Sequence, residues 1–151
     1  MVGVAYTLES RSLDQALDGL ARWSGSVAQR RLRLADAIGA LLESSVKRRI
    51  AEEKEAPDGT PWAPWSERHG ATRRTGQTIL QAEGDLLDSV QSLTSAAEVQ
   101  TGSNLVYAAI HQFGGEDVDI DIPERPYLGL STEDERGVRD LAADFLRGGL
   151  A

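Results

Sequence analysis

Hydrophobic residues change their spacing several times along this chain, and each change marks an element. Val2, Val4, Tyr6 and Leu8 recur at every second position, the period of a short strand. Ser12 with Gln15 three residues on has the spacing of a capping box. Leu13, Ala16, Leu17, Leu20 and Trp23 follow at helical intervals, which predicts a first helix ending near Ser24-Gly25-Ser26. Leu34, Ile38, Leu41, Leu42, Ser45, Val46 and Ile50 then recur at threes and fours, predicting a longer helix from Val27 to Lys54. At ~1.5 Å per residue that helix spans about 42 Å, more than a domain of this size covers by itself. Part of it is expected to pack against something else.

From Pro57 to Thr78 the periodicity stops. Pro57-Asp58-Gly59 is a turn with a physical basis: proline fixes φ, aspartate bonds nearby backbone and glycine takes positive φ. A structureless stretch of this length is a functional loop or a linker, and Trp62 and Trp65 argue against a linker, since disordered segments are poor in aromatics. Two readings stay open: the loop plugs a cleft of its own domain, or it contacts a second subunit.

Beyond the loop, Leu86, Leu87 and Val90 suggest a short helix or strand, and Ala97, Val99 and Thr101 alternate as a strand would. Gly102-Ser103-Asn104 reads as a turn. Asp117-Val118-Asp119-Ile120-Asp121-Ile122 alternates without a break, so Val118, Ile120 and Ile122 would face a core while the aspartates face outward. A last helix is expected from Ser131 or Thr132, with Glu133, Asp134 and Glu135 at its positive end and Val138, Leu141, Ala142, Phe145 and Leu146 buried. The fold class is α+β: long amino-terminal helices, a small mostly antiparallel sheet and a carboxy-terminal helix. We expect one domain over 1–151, with a strand and helical part over 1–56, the Pro/Trp loop over 57–78, and the sheet and closing helix over 79–151.

Composition narrows the chemistry. With 151 residues, 40% of them hydrophobic and 26% charged, the chain has ordinary globular proportions. It has no run near the ~20 apolar residues of a membrane span and no basic region leading an apolar stretch at the amino terminus, so neither a span nor a secretory signal is expected. The absence of cysteine excludes disulfides, thiolate metal sites and thiol nucleophiles. The net charge of −8 is uneven. Residues 1–56 hold nine Lys and Arg against eight Asp and Glu, whereas residues 81–151 hold four against fourteen. Phosphate binding needs clustered cations, so a sequence-specific DNA reader is a poor fit.

Candidate catalytic constellations are weak. Asp117, Asp119 and Asp121 begin like a calcium loop, but Ile122 and Leu128 stand where that loop needs glycine and a bidentate glutamate. His69 and His111 are the only histidines, and neither has metal-ligand spacing. Gly114-Gly115 lacks the lysine and helix of a phosphate loop. No catalytic residue, metal or cofactor is expected.

The aromatic residues carry more. Of eight, five lie in loop-like or motif-like segments: Trp62, Trp65, Tyr107, Phe113 and Tyr127. Large rings of this kind anchor protein interfaces. With His111 and Arg125 from the same segments they form the candidate interface set. Arg125 is the only Lys or Arg between Arg74 and Arg136, amid Glu116, Asp117, Asp119, Asp121 and Glu124, which predicts a bidentate carboxylate pair.

Four segments, in this order, resemble the phage virion morphogenesis family, the tail-completion proteins of Mu-like and related tailed bacteriophages. They are Pro57-Asp58-Gly59-Thr60-Pro61-Trp62-Ala63-Pro64; Ile79-Leu80 with Gly84-Asp85-Leu86-Leu87-Asp88-Ser89-Val90; Tyr107-Ala108-Ala109-Ile110-His111-Gln112-Phe113-Gly114-Gly115; and Arg125-Pro126-Tyr127-Leu128-Gly129. The last two are the most specific. Trp65 and Glu83 depart from the family's usual leucine and threonine.

The resemblance implies a non-enzymatic virion protein of the head–tail junction, assembled in the bacterial host cytoplasm. It implies a ring of identical subunits, six copies fitting the tail symmetry, at the top of the tail or in the neck. Its neighbours would be neck, connector or tail-tube proteins, with DNA passing through without sequence-specific binding and no membrane involved. Two other classes remain open. A DNA-binding accessory protein would use Arg30, Arg31, Arg33, Lys47, Arg48 and Arg49, and a small hydrolase would need His69 or His111 in a cleft with a carboxylate.

Overall fold

A computed structural model describes residues 11–116 and 121–147. The expected strand at Val2–Leu8, and Asp117 to Ile120 of the expected second strand segment, lie outside them. A single helix, α1 (Arg11–Arg48), dominates the architecture and widens into a π-helical turn over Arg49–Glu53. Short helices α2 (Glu67–Gly70) and α3 (Asp85–Ser89) follow, then the strands β1 (Val90–Thr94) and β2 (Val99–Ser103). Helix α4 (Ala108–Phe113) and the closing helix α5 (Thr132–Leu146) complete the order. The class is α+β, with one two-stranded antiparallel sheet among the described residues, Val90 opposite Ser103 and Thr94 opposite Val99.

The two amino-terminal helices expected from the pattern are one. Ser24-Gly25-Ser26 does not break the helix, because the Ser24 and Ser26 hydroxyls donate back to the carbonyls of Ala21 (2.9 Å) and Trp23 (2.7 Å) within it. Leu13, Leu17, Leu20, Ser24 and Val27 keep an unbroken four-three spacing across the supposed break. The helix ends where Lys54 turns left-handed (φ 59°) and returns its N–H to the Arg49 carbonyl at 3.0 Å. The Lys54 ammonium donates to the carbonyls of Ile50 and Ile79, and burial pulls its pKa down.

Three further expectations change. The hairpin turn falls at Ser95–Glu98, where Ser95 N–H donates to the Glu98 carbonyl, and Gly102-Ser103 finish β2. Asp121 and Ile122 are not in a strand. Leu146 is exposed, one residue past the ring of Phe145, which lies against Arg30. The start of α5 is as expected, with a capping box between Ser131 and Asp134.

α5 runs antiparallel to α1, with Asp134 beside Arg49, Gly137 against Leu41 and Phe145 beside Arg30. The hairpin covers another face of α1 near Gly39 and Glu43, which receive the Ser92 hydroxyl and Ser92 N–H. Both contacts depend on missing side chains. A Cβ at Gly137 would stand 2.5 Å from Leu41 Cδ1, and one at Gly39 2.8 Å from Thr94 Cγ2. The buried core lies at the carboxy-terminal end of α1: Val46, Ile50, Ala56, Trp62, Leu86, Val90, Ala108 and Tyr127.

The other end of α1 stands clear of this body. From Arg11 to Gln29 it runs about 28 Å at ~1.5 Å per residue. Leu17, Leu20 and Trp23 are 54%, 60% and 65% exposed there, and nothing lies within 4 Å of the Cβ positions of Gly19 and Gly25.

Candidate functional site

The segments that look most distinctive in sequence converge on one region, and Gln112 joins two of them. Its side-chain oxygen accepts the backbone N–H of Tyr127 (3.0 Å) and of Leu128 (2.9 Å), while its amide donates to the Leu128 carbonyl (3.3 Å). Arg125 N–H donates to the His111 carbonyl at 2.7 Å, and the Tyr127 hydroxyl to the Ala108 carbonyl at 3.2 Å. The His-Gln-Phe-Gly-Gly run and the Arg-Pro-Tyr-Leu-Gly run are therefore one unit. Neither the charge nor the hydrophobicity of Gln112 sets it apart in sequence; its position inside the motif was the only signal.

The proline-tryptophan loop is welded to the same unit. Trp62 is 6% exposed and donates its Nε1–H to the Pro126 carbonyl at 2.9 Å. Arg125 is buried and donates Nε–H to the Ala63 carbonyl (2.9 Å) and Nη2–H to the Pro64 carbonyl (3.0 Å). The expected carboxylate pair is thus corrected: a guanidinium in this position satisfies backbone carbonyls of a loop that has no secondary structure to do so. Burial lowers the Arg125 pKa. Of the two readings of the loop, plugging its own domain holds at Trp62. Trp62, Arg125 and Tyr127 are internal to the subunit and present almost no surface to a partner.

Beside this unit opens a cleft of about 580 Å³. Trp65 and His69 stand on one side, ring to ring in an edge arrangement at 6.1 Å, with the Arg73 guanidinium 5.3 Å over the Trp65 ring and bonded to His69. Tyr107 and His111 stand on the other in a similar edge arrangement at 5.9 Å. Glu83, Asp85 and Asp121 add carboxylates to the rim. His111 Nδ1 is buried and has no hydrogen-bond partner among the described residues. Burial, and then the Arg125 charge, hold the His111 pKa below its ordinary value, which favours the neutral imidazole. Burial, and then Asp85, push the Tyr107 phenol up.

The cleft brings both histidines together, which the sequence did not indicate. Among the described residues, however, neither ring is hydrogen-bonded to a carboxylate or to a hydroxyl, and the Ser66 hydroxyl instead caps α2 by accepting His69 N–H at 3.4 Å. No cluster of three metal-ligating side chains occurs among them. Outside the cleft, Val106 precedes α4 and Phe113 is its last residue, 99% and 76% exposed.

The basic stripe is mostly committed elsewhere. Arg49 is buried against Asp134, Arg48 pairs with Glu53 and with Glu133 (2.9 Å), and Lys47 pairs with Glu43 (2.7 Å). Arg30 donates to the Phe145 carbonyl. No helix is long and apolar enough to cross a membrane among the described residues.

The sequence profile of the phage virion morphogenesis family matches residues 8–147. The chain belongs to that family. It is 30% identical over 141 residues to the putative capsid assembly protein G of Escherichia phage Mu, covering 88% of this chain and 87% of the relative. It is also 30% identical over 123 residues to the tail completion protein S of Escherichia phage P2, covering 74% and 81% of the two chains. A Mu-like prophage FluMu G protein 2 of Haemophilus influenzae is 35% identical over 77 residues, 49% of this chain and 55% of the relative. No solved structure matches. This virion morphogenesis protein therefore has a role in building phage particles, and the matched span contains α1, the welded motif unit and α5.

Proposed function

We propose that this protein is a structural component of the phage head–tail junction, a ring of identical subunits that completes the tail so that it joins the head. The observation that carries the reading is the shape of the subunit within a family of virion assembly proteins. A rigid body, welded by Gln112, Arg125 and Trp62, bears an unpartnered helical arm at one end and exposed Val106 and Phe113 elsewhere. Two different free surfaces on one chain suit a head-to-tail contact, and such contacts close into rings when the rotation permits. The name of the P2 relative, a tail completion protein, supports the tail end of the junction. Six copies fit the symmetry of a tail, and DNA would pass through the ring without being read.

Electron microscopy of assembled particles, with copy number from quantitative mass spectrometry, tests this. A ring of this chain between portal and tail tube is the expected result; one or two copies per particle would overturn it.

A further inference from the structure

The outer edge of β2 is an open strand edge. Ser92 N–H donates to Glu43 Oε2 (3.0 Å) and the Ser92 and Thr101 hydroxyls meet at 2.8 Å, so Ser92 and Thr101 face each other as a non-hydrogen-bonded pair of the hairpin. The alternation of an antiparallel ladder then turns the N–H and C=O groups of Val99, Thr101 and Ser103 away from β1. Among the described residues none bonds to these groups, whereas on the edge of β1 the Glu43 carboxylate occupies Ser92 N–H. Strand edges left in water are normally blunted by charge, proline or a bulge. Val99-Gln100-Thr101-Gly102-Ser103 has neither charge nor proline, and its register with β1 runs without a bulge.

The same chain carries a strand pattern in need of a ladder. Val2-Gly3-Val4-Ala5-Tyr6-Thr7-Leu8 alternates at the strand period, places strand-favouring Val2, Val4 and Tyr6 on one side and, like β2, has no charge and no proline. The length of α1 decides which ladder it can join. Thr94, opposite Val99, bonds Asp36 and packs on Gly39, and Ser92, opposite Thr101, reaches Gly39 and Glu43, so the β2 edge lies level with α1 from Asp36 onward. From Arg11 to Asp36 the helix rises about 38 Å at ~1.5 Å per residue. A fully extended chain covers at most ~3.6 Å per residue, so Leu8 stays within about 11 Å of Arg11 and Val2 within about 32 Å. With α1 helical, no register lays this segment along the β2 edge of its own subunit.

We infer that residues 2–8 of one copy add as a third strand to the β2 edge of the next copy of this chain, pairing with the backbone of Val99, Thr101 and Ser103. The inference deepens the proposed ring and rests on it for a neighbour within reach. Strand addition draws its affinity from main-chain hydrogen bonds, which suits two uncharged segments. A two-stranded sheet is also marginal by itself and gains from a third strand. The contact joins two different parts of the chain, so it is heterologous and propagates from subunit to subunit. The amino-terminal turns of α1 are the spacer that carries the segment beyond its own body.

Because the chain has no cysteine, introduced thiols report this contact without background. Thr7→Cys and Gln100→Cys, the latter at an exposed position, would be placed in the full chain singly and together. Particles assembled from the double variant and treated with a short bifunctional thiol reagent should give a ladder of cross-linked oligomers, and neither single variant should. Val4→Pro with Ala5→Pro, added to the double variant, removes a ladder donor whichever of the two N–H groups faces β2. It should cut the cross-linked product about tenfold and leave the melting temperature of the purified subunit unchanged. Dimers from the Thr7→Cys variant alone would show that the segments pair with each other and overturn the inference. Cross-links confined within single chains, none at all, or a proline variant that cross-links like its parent would overturn it as well. Multiple copies in the particle together with any of these results would leave the ring standing and only this contact refuted.

Discussion

Arg49 and Asp134 meet at 3.2 Å with side chains 2% and 3% exposed, the tie that fastens the start of α5 to the end of α1. Arg49 also donates to the Tyr127 carbonyl at 2.7 Å, and Asp134 accepts the Ser131 N–H at 2.9 Å, so the pair joins both helices to the motif unit. Removing either partner leaves an uncompensated buried charge, at a cost of about 3–5 kcal/mol, a large share of a typical ~5–15 kcal/mol of stability. Asp134→Asn and Arg49→Met should each lower the urea midpoint sharply. Arg139→Ala, which breaks only the exposed pair with Glu135, should cost no more than ~0.5 kcal/mol. Equal midpoints for Asp134→Asn and Arg139→Ala would show that the buried tie contributes nothing special.

The pH dependence of stability should follow from two groups. Burial pushes the Asp134 carboxyl up, but hydrogen bonds from Ser45 and Ser131 and the Arg49 charge outweigh it and hold the pKa below the ordinary value. The folded state therefore keeps this carboxylate charged at pH values where the unfolded chain, at ~3.9, already binds a proton. That stability is present above ~4 and is lost as pH falls through the folded pKa. His111 acts earlier with the same sign. Its folded pKa is depressed, so below ~6.5 the unfolded chain takes up a proton that the folded imidazole refuses. Wild-type protein should lose part of its stability as pH falls through ~6.5 and below, and His111→Gln should remove that early loss. A denaturation series showing the same slope in both proteins would refute the assignment to His111.

Much of the fold was legible in sequence because local spacing decides it. The capping box at Ser131 and Asp134 and the hairpin strand at Val99 and Thr101 follow from patterns a few residues long. The helical spacing on both sides of Ser24-Gly25-Ser26 was also legible, although that tripeptide falsely suggested a break. What stayed hidden was long-range satisfaction of polar groups. Arg49 sat in the basic run Lys47-Arg48-Arg49, and its partner Asp134 lies 85 residues away. Arg125 sat among five carboxylates and chose the carbonyls of Ala63 and Pro64. A chain segment with unpaired backbone acceptors can capture a guanidinium as well as a carboxylate can, and one-dimensional charge patterns carry no record of it.

Gln112 is expected to be a stability residue out of proportion to its modest exposure. Gln112→Leu keeps the bulk and strands the N–H groups of Tyr127 and Leu128, each worth about 1–3 kcal/mol when left unsatisfied. Gln112→Glu keeps an oxygen acceptor for both and loses only the donor to the Leu128 carbonyl. Thermal melts should therefore rank wild type above the glutamate variant and the glutamate variant above the leucine variant. A glutamate variant no more stable than the leucine variant would mean that the amide donor, rather than the shared acceptor, holds the two motifs together.

Trp62 and Trp65 stand three residues apart in the same loop and should behave as different kinds of residue. Trp62 is enclosed in the core and gives its Nε1–H to Pro126, so Trp62→Ala should cost about 3–5 kcal/mol through the cavity left behind and the lost hydrogen bond. Trp62→Phe retains most of the packing and should be milder, exposing only the Pro126 carbonyl. Trp65 is half-buried at the edge of the open cleft, where its ring contacts His69 and Arg73, neither of which belongs to the core. Trp65→Ala should melt within a few degrees of wild type. If the cleft receives a neighbouring virion protein, that variant should still fail to complete particles, because truncating a large aromatic anchor at an interface commonly costs ~2 kcal/mol or more. The two measurements, a thermal melt of each purified variant and the yield of infectious particles when it replaces the wild-type chain, separate the roles. A Trp65→Ala chain that melts normally and assembles normally would remove the cleft from the assembly surface, and a Trp62→Ala chain as stable as wild type would contradict the core position itself.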